Sequence, residues 1–321
     1  MTVQAYIQQR LENLKTPAAI GDTSGSAEDV VYARLMSKRF RKMKAGDSCI
    51  EITKRVVAKA VKEQTPIVVT ECFGGNKLWR FDEAPEIDWA ELFSLMYFVD
   101  WMKTVAAVHK PGVIFDYFSQ DLAVERLDNI TRQELDAYSH TFIDMLDWIK
   151  PHLPDGVTVQ YRRHRDMFDD ESKYDSELGS AMKLYLKDNN DQLPVLDDAM
   201  KARTELNVRP KPGQEADPEW REKVELQHNA IFMTPTLGTY LHDPDLVWTC
   251  PTYYEDSIVT GSTKRSIAKF WAGVGALQRN KESYAELVLT PKQLASADFT
   301  WEDTHINGLT GKNFSRIRIL T

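Results

Sequence analysis

The sequence predicts an α/β protein: a Rossmann-like, mainly parallel sheet, preceded by an N-terminal helical segment and followed by a mixed α+β part. Three observations carry this reading. Helix-period segments fill residues 2 to 64, a strand, helix, strand, helix, strand alternation starts at residue 65, and several short β-branched runs crowd the C-terminal part. Such an alternation implies parallel pairing through crossover connections. The expected division is a helical segment over 1–64, a Rossmann-like core over 65–206 and an α+β part over 220–321 that completes or covers the core.

The first helix ends before Thr16 and Pro17. GDTSGS is a loop, and a second helix opens at Ser26 with Asp29 three residues on, a capping-box pattern. DSCIEITKRVVAKAVKEQ follows with Ile52, Val56 and Ala60 at helical spacing. PIVVTECF is then a short apolar run with the character of a buried strand. A long helix begins near Asp88, supported by Glu91; its apolar stretch WAELFSLMYFVDWMKTVAAV carries Glu91, Asp100 and Lys103, too polar to span a bilayer.

PGVIFDYF is the second strand, TRQELDAYSHTFIDMLDWIK the next helix with a Thr131 and Glu134 capping box, and GVTVQYRR the third strand. Residues 170–206 have helical character, and the Pro-rich connection 207–219 ends in Asp217 and Pro218, a cap and first turn. LVWTCPTYY, DSIVT, AELVLT and SRIRIL are strand-like. SIAKFWAGVGALQ is ambiguous, because its two glycines weaken a helix.

Composition narrows the function. A net charge of -8 over 321 residues argues against non-specific binding to nucleic acid or anionic membrane. The cations of RLMSKRFRKMK, residues 34–44, fall all round a helix, the pattern of a solvated face. Cys49, Cys72 and Cys250 are too scattered for a disulfide scaffold or a zinc site, so a reducing compartment and a cytoplasmic location are expected. MTVQAYIQQRLENLK lacks the apolar core of a signal peptide. The histidines form no metal-ligand spacing, and no metal or cofactor is expected.

Ligands of open α/β sheets bind beyond the carboxyl ends of the strands. CFGGNKLWR lies at such an end: Gly74 and Gly75 would let backbone amides approach an anion, and Lys77 and Arg80 would neutralise it. On this reading Lys77→Ala weakens anion binding and barely changes stability. TGSTKRS offers a second cationic turn, with hydroxyls on Ser262, Thr263 and Ser266 and charge on Lys264 and Arg265. Among the carboxylates Asp116, Asp121 and Glu125, Asp121 is the candidate general base. His164, just after the third strand, is a further catalytic candidate. RRHRD carries the letters of a kinase catalytic loop, but Glu171 stands where the asparagine belongs and no Gly-rich ATP loop exists.

From residue 66 to about 149 the order of features resembles the isonitrile synthase family, the pyoverdine and dityrosine biosynthesis proteins. The residues that carry it are PIVVTECFGGNK, PEIDWAELFSL, HKPGVIFDYFSQD and the helix with Asp136 and Tyr138. Gly74 and Gly75 replace a proline-bearing turn, and Gln120 interrupts the family's Ser-Asp step. The resemblance implies a metal-independent biosynthetic transferase that joins the amino nitrogen of an aromatic amino acid to a carbon of a pentulose phosphate. It would place Lys77 and Asp121 on the family's basic and acidic site positions. The expected partner is a small anionic metabolite. Two alternatives stand beside this one: an enzyme acting on nucleotides or nucleic acid through Trp79, Arg162, Arg163 and the basic helix at 34–44, and a non-catalytic interaction protein that uses the chain's eight Trp and twelve Tyr.

Overall fold

The computed structural model describes residues 1–21, 23–188, 208–210, 245–250, 256–309 and 311–321. The helical character expected over 189–206, most of the Pro-rich connection 207–219 with Asp217 and Pro218, and His228 and His242 lie outside the described residues.

Three helices come first: α1 (Val3–Lys15), α2 (Ala27–Leu35) and α3 (Asp47–Glu63). The capping box at Ser26 and Asp29 forms in both directions. The sheet then builds as β1 (Ile67–Phe73), α4 (Trp89–Ala106), β2 (Val113–Ser119), α5 (Asp121–Leu127), α6 (Arg132–Ile149) and β3 (Val157–Arg163). α7 (Glu171–Asp188) follows, and β4 (Val247–Cys250) and β5 (Ile258–Val259) complete it.

All five strands are parallel, in the order β3-β2-β1-β4-β5. The chain therefore moves outward from β1 to β3 and returns to the other side of β1. That reversal makes the β1/β4 boundary the topological switch point, where the carboxyl ends of such sheets open a crevice.

Alternation along β1 divides its side chains between two faces. Ile67, Val69 and Phe73 join Phe115, Tyr117 and the helices in one apolar cluster that extends from Val3 to Ile319. Val68 and Cys72 pack instead with Phe118, Leu246 and Trp248. The Lys-Pro-Gly turn before β2 needs its glycine: Gly112 has φ +90°, and a Cβ there would lie 2.4 Å from the Gly156 carbonyl oxygen.

The C-terminal part forms a second, mixed sheet from β6 (Val274–Arg279), β7 (Tyr284–Leu289), β8 (Phe299–Asp303) and β9 (Arg316–Leu320), in the order β7-β6-β9-β8, with a short helix α8 (Pro291–Ala295) between β7 and β8. The ambiguous SIAKFWAGVGALQ resolves into a 3-10 turn, Phe270–Ala272, and β6. Its glycine at 275 permits a close crossing. A Cβ there would lie 2.3 Å from the Trp89 Cβ, so β6 can rest on the first turn of α4 only without a side chain at that position. No helix among the described residues is long and apolar enough to cross a membrane.

Candidate active site

The buried carboxyl of Glu71 lies at the switch point. It occupies the third position from the end of β1, pairs in register with Thr249 of β4, and is 1% exposed. Burial pushes its pKa up to about 8, against a smaller opposing effect of the Thr249 hydroxyl and the charge of Lys269. The Thr249 hydroxyl has one hydrogen but two contacts, the Thr70 carbonyl oxygen at 3.1 Å and the Glu71 carboxyl. A protonated Glu71 satisfies both: its O–H donates to the Thr249 oxygen, and the Thr249 O–H donates to the carbonyl. The site thus stores a proton close to neutral pH, as acid–base catalysis requires.

Cys72 follows Glu71, and its thiol pKa is raised by burial and by Cys250 on the neighbouring strand. All three cysteines are free. Lys269 is half-buried and sits 5.7 Å from the Trp271 ring centroid. The 3-10 turn Asn76–Trp79 packs against Phe270–Ala272, so the turn after β1 and the segment before β6 meet above the sheet. Among the described residues no group of three or more His, Cys, Asp or Glu is arranged to hold a metal ion.

The residues singled out in the sequence take different places. Gly74 follows β1 directly and is half-buried. Gly75 has φ -120° and ψ 25°, so it needs no left-handed backbone. Its smallness serves packing instead, since a Cβ would meet Val124 at 3.0 Å and Leu78 at 3.2 Å. Arg80 is half-buried with its guanidinium carbon 4.3 Å from the Trp79 centroid, and burial lowers its pKa.

Lys77, the candidate anion-neutralising cation of the sequence, is turned inward. It is fully buried, and its ammonium donates to Asp88 Oδ1 at 2.8 Å and to Glu91 Oε1 and Oε2 at 2.8 and 2.6 Å. Burial alone would lower its pKa, but the two carboxylates outweigh burial and raise it. Asp88 and Glu91 also form the capping box of α4, Asp88 Oδ2 accepts from the Gly275 amide at 3.2 Å, and Tyr138 donates to Glu91 at 2.8 Å. In this conformation Lys77 ties the turn after β1 to α4, α6 and the second sheet.

Asp121 opens α5 with no exposed surface. Its Oδ2 accepts from Arg163 at 2.7 Å and Arg165 at 2.5 Å, and Oδ1 accepts from the amides of Leu122 at 2.9 Å and Arg165 at 3.2 Å. A carboxylate has about four acceptor positions, so a general-base role for Asp121 needs one of these contacts to open. Arg165 continues to Glu125 and Glu171, and Arg162 grips Asp116 with two bonds.

His164 is 2% exposed among Phe118, Phe168 and Tyr174, with ring centroids 5.2 to 5.7 Å away. Burial lowers its pKa to about 4, against the opposing charge of Asp121. Neither ring nitrogen has a hydrogen-bond partner among the described residues.

Lys264 and Arg265 line another part of the surface. Ser262 is buried, while Lys264 and Arg265 are exposed on a cavity that none of residues 74–80 lines.

The fold has a solved counterpart. The PvcA protein from Pseudomonas aeruginosa superposes with a TM-score of 0.65 over 92% of this chain and 100% of its own, at 12% sequence identity. The two proteins share a fold. No protein-family model matches the sequence, and no characterised protein matches it in sequence.

Glu71 escaped the sequence reading. Its signal is a single carboxylate within an apolar, β-branched run, at a position whose neighbours two residues away, Val69 and Phe73, face the core.

Proposed function

We propose that the chain is a biosynthetic enzyme that binds a small anionic metabolite in the crevice beyond β1 and β4, with Glu71 as its proton-transfer group. The observation that supports this reading is Glu71 itself, a buried carboxyl with a pKa of about 8 at the switch point of a parallel sheet. The anion is taken up by Arg80 and Lys269, from two segments that pack together.

The reaction class is a condensation of an amino group with the carbonyl of a phosphosugar, as in isonitrile synthases. Addition of an amine to a carbonyl gives a carbinolamine, and its hydroxyl leaves as water once it is protonated. A carboxyl that is protonated at neutral pH is suited to deliver that proton, and the resulting carboxylate to recover one from nitrogen.

The test is turnover of an aromatic amino acid with a pentulose phosphate, followed by mass spectrometry of the products, for the wild type and Glu71→Gln. Product from the wild type and a loss of about 10²-fold or more in the variant is expected. Equal turnover by both proteins removes Glu71 from the mechanism. Absence of product with tight, salt-dependent oligonucleotide binding would point to nucleic acid instead.

A further inference from the structure

A cavity of about 350 Å³ opens between α1, α4 and the β6–β7 hairpin. Its size is that of a small-ligand pocket. Glu71, Thr249 and Lys269 do not line it.

The charges around it do not cancel. Its two carboxylates are already engaged: Glu286 with Arg10 at 2.7 Å, and Asp100 with Arg10 at 3.2 Å and Lys103 at 2.7 Å. Three more cations line the cavity, Arg39, Lys264 and Arg265, and Lys42 is bonded to the backbone of the turn that carries the last two. Arg39 stands over the Phe40 ring, and among the described residues the Arg265 guanidinium donates to the neutral Gln278. Lys42 spends its ammonium on the carbonyls of Thr263 and Lys264, at 3.1 and 2.7 Å. Burial lowers the Lys42 pKa, and the charge of Lys264 lowers it further, the mark of like charges held close together. None of Arg39, Lys42, Lys264 and Arg265 has a carboxylate at ion-pair distance among the described residues.

The other walls are aromatic. Tyr6 and Tyr284 have ring centroids 5.5 Å apart, and Phe40 and Tyr97 lie 5.6 Å apart. The Tyr6 and Tyr97 hydroxyls are turned to Glu286 and to the Phe40 carbonyl, at 3.1 and 2.9 Å, and the largely buried rings line the cavity with their remaining edges. Positive charge gathered at one concave place attracts an anion, and aromatic residues beside it favour a ligand with a flat apolar part.

We infer that this cavity is a binding site, separate from the crevice at Glu71, for a small organic phosphate that carries a planar ring. The phosphate meets Arg39, Lys264 and Arg265, and the ring rests on the aromatic side of the cavity. The inference stands apart from the proposed reaction.

Calorimetric titration at fixed ionic strength tests it, with phenyl phosphate and inorganic phosphate as probes. The wild type is expected to bind phenyl phosphate at least tenfold more tightly than inorganic phosphate. The double variant Arg39→Gln, Lys264→Gln should lose at least about tenfold, as for loss of charge-assisted hydrogen bonds, while Arg39→Lys, Lys264→Arg and Glu71→Gln keep wild-type affinity. Circular dichroism confirms that each variant is folded; both altered side chains are exposed. Failure of the wild type to bind phenyl phosphate, equal affinity for the two probes, undiminished binding by the double Gln variant, or loss of binding in Glu71→Gln each overturns the inference. The last outcome would put the ligand in the crevice.

Discussion

Glu71 and Thr249 stand opposite each other on β1 and β4, 178 positions apart in the chain, and share one hydrogen-bonded contact in the buried interior. That contact has a consequence for stability. An unfolded glutamate titrates near about 4.3, whereas Glu71 in the folded protein titrates at about 8. Between these values the folded state holds one more proton than the unfolded state, so stability falls as pH rises through the window and levels off above it. Glu71→Gln should flatten this dependence and melt at a higher temperature than the wild type at pH 9. Melting curves from pH 5 to 9 decide it, and parallel profiles for the two proteins would show that Glu71 ionises as an ordinary carboxyl.

The buried ammonium of Lys77 gives an outcome opposite to that expected of a solvent-facing cation. Lys77→Met leaves Asp88 and Glu91 without their counter-charge, a loss of about 3–5 kcal/mol for a broken buried pair. Adding Glu91→Gln should restore part of it, because one unmatched charge is then removed. Urea denaturation of the single and double variants measures both effects. A single variant as stable as the wild type would show that the cluster contributes nothing.

His164 acts on stability with the opposite slope. Its folded pKa of about 4 lies below the unfolded value of about 6.5, so its contribution is complete above the unfolded value and is lost as pH falls toward the folded one. His164→Phe, which suits the surrounding rings, should abolish that part of the acid lability. Comparing melting temperatures of the two proteins at pH 4.5 and pH 7 checks it. An unchanged difference between the two pH values would show that His164 titrates normally.

Asp121→Asn separates two roles. The amide replaces one acceptor facing Arg163 and Arg165 with a donor, and a loss of about 1.5–3 kcal/mol is expected for hydrogen bonds to charged groups. Guanidinium denaturation measures the stability, and turnover measures the chemistry. A variant of unchanged stability whose turnover falls steeply would instead support Asp121 as a base.

The architecture was legible where local chemistry and global fold agree. Capping boxes at Ser26, Asp88 and Thr131 start helices where they were expected, and the apolar runs at 67–73, 113–119 and 157–163 are neighbouring parallel strands. The site was harder to read. Lys77 beside two glycines has the local pattern of an exposed turn, and only the return of Glu91 from α4 buries it. Glu71 owes its altered acidity to burial in the assembled fold, which the Thr249 hydroxyl, far away in sequence, offsets only in part. Short-range pattern identifies elements, whereas a perturbed carboxyl is a property of the assembled sheet.

The position of β1 has a bearing on how the chain is made. It ends up as the middle strand, yet the partner on one of its sides, β4, begins only at Val247. While the ribosome is still translating the residues between, IVVTECF has one row of amides and carbonyls unanswered, on a strand rich in β-branched residues. Such an open edge is a template for pairing with another nascent chain. Synthesis of this protein therefore places a demand on chaperones that a sheet assembled in sequential order would not make.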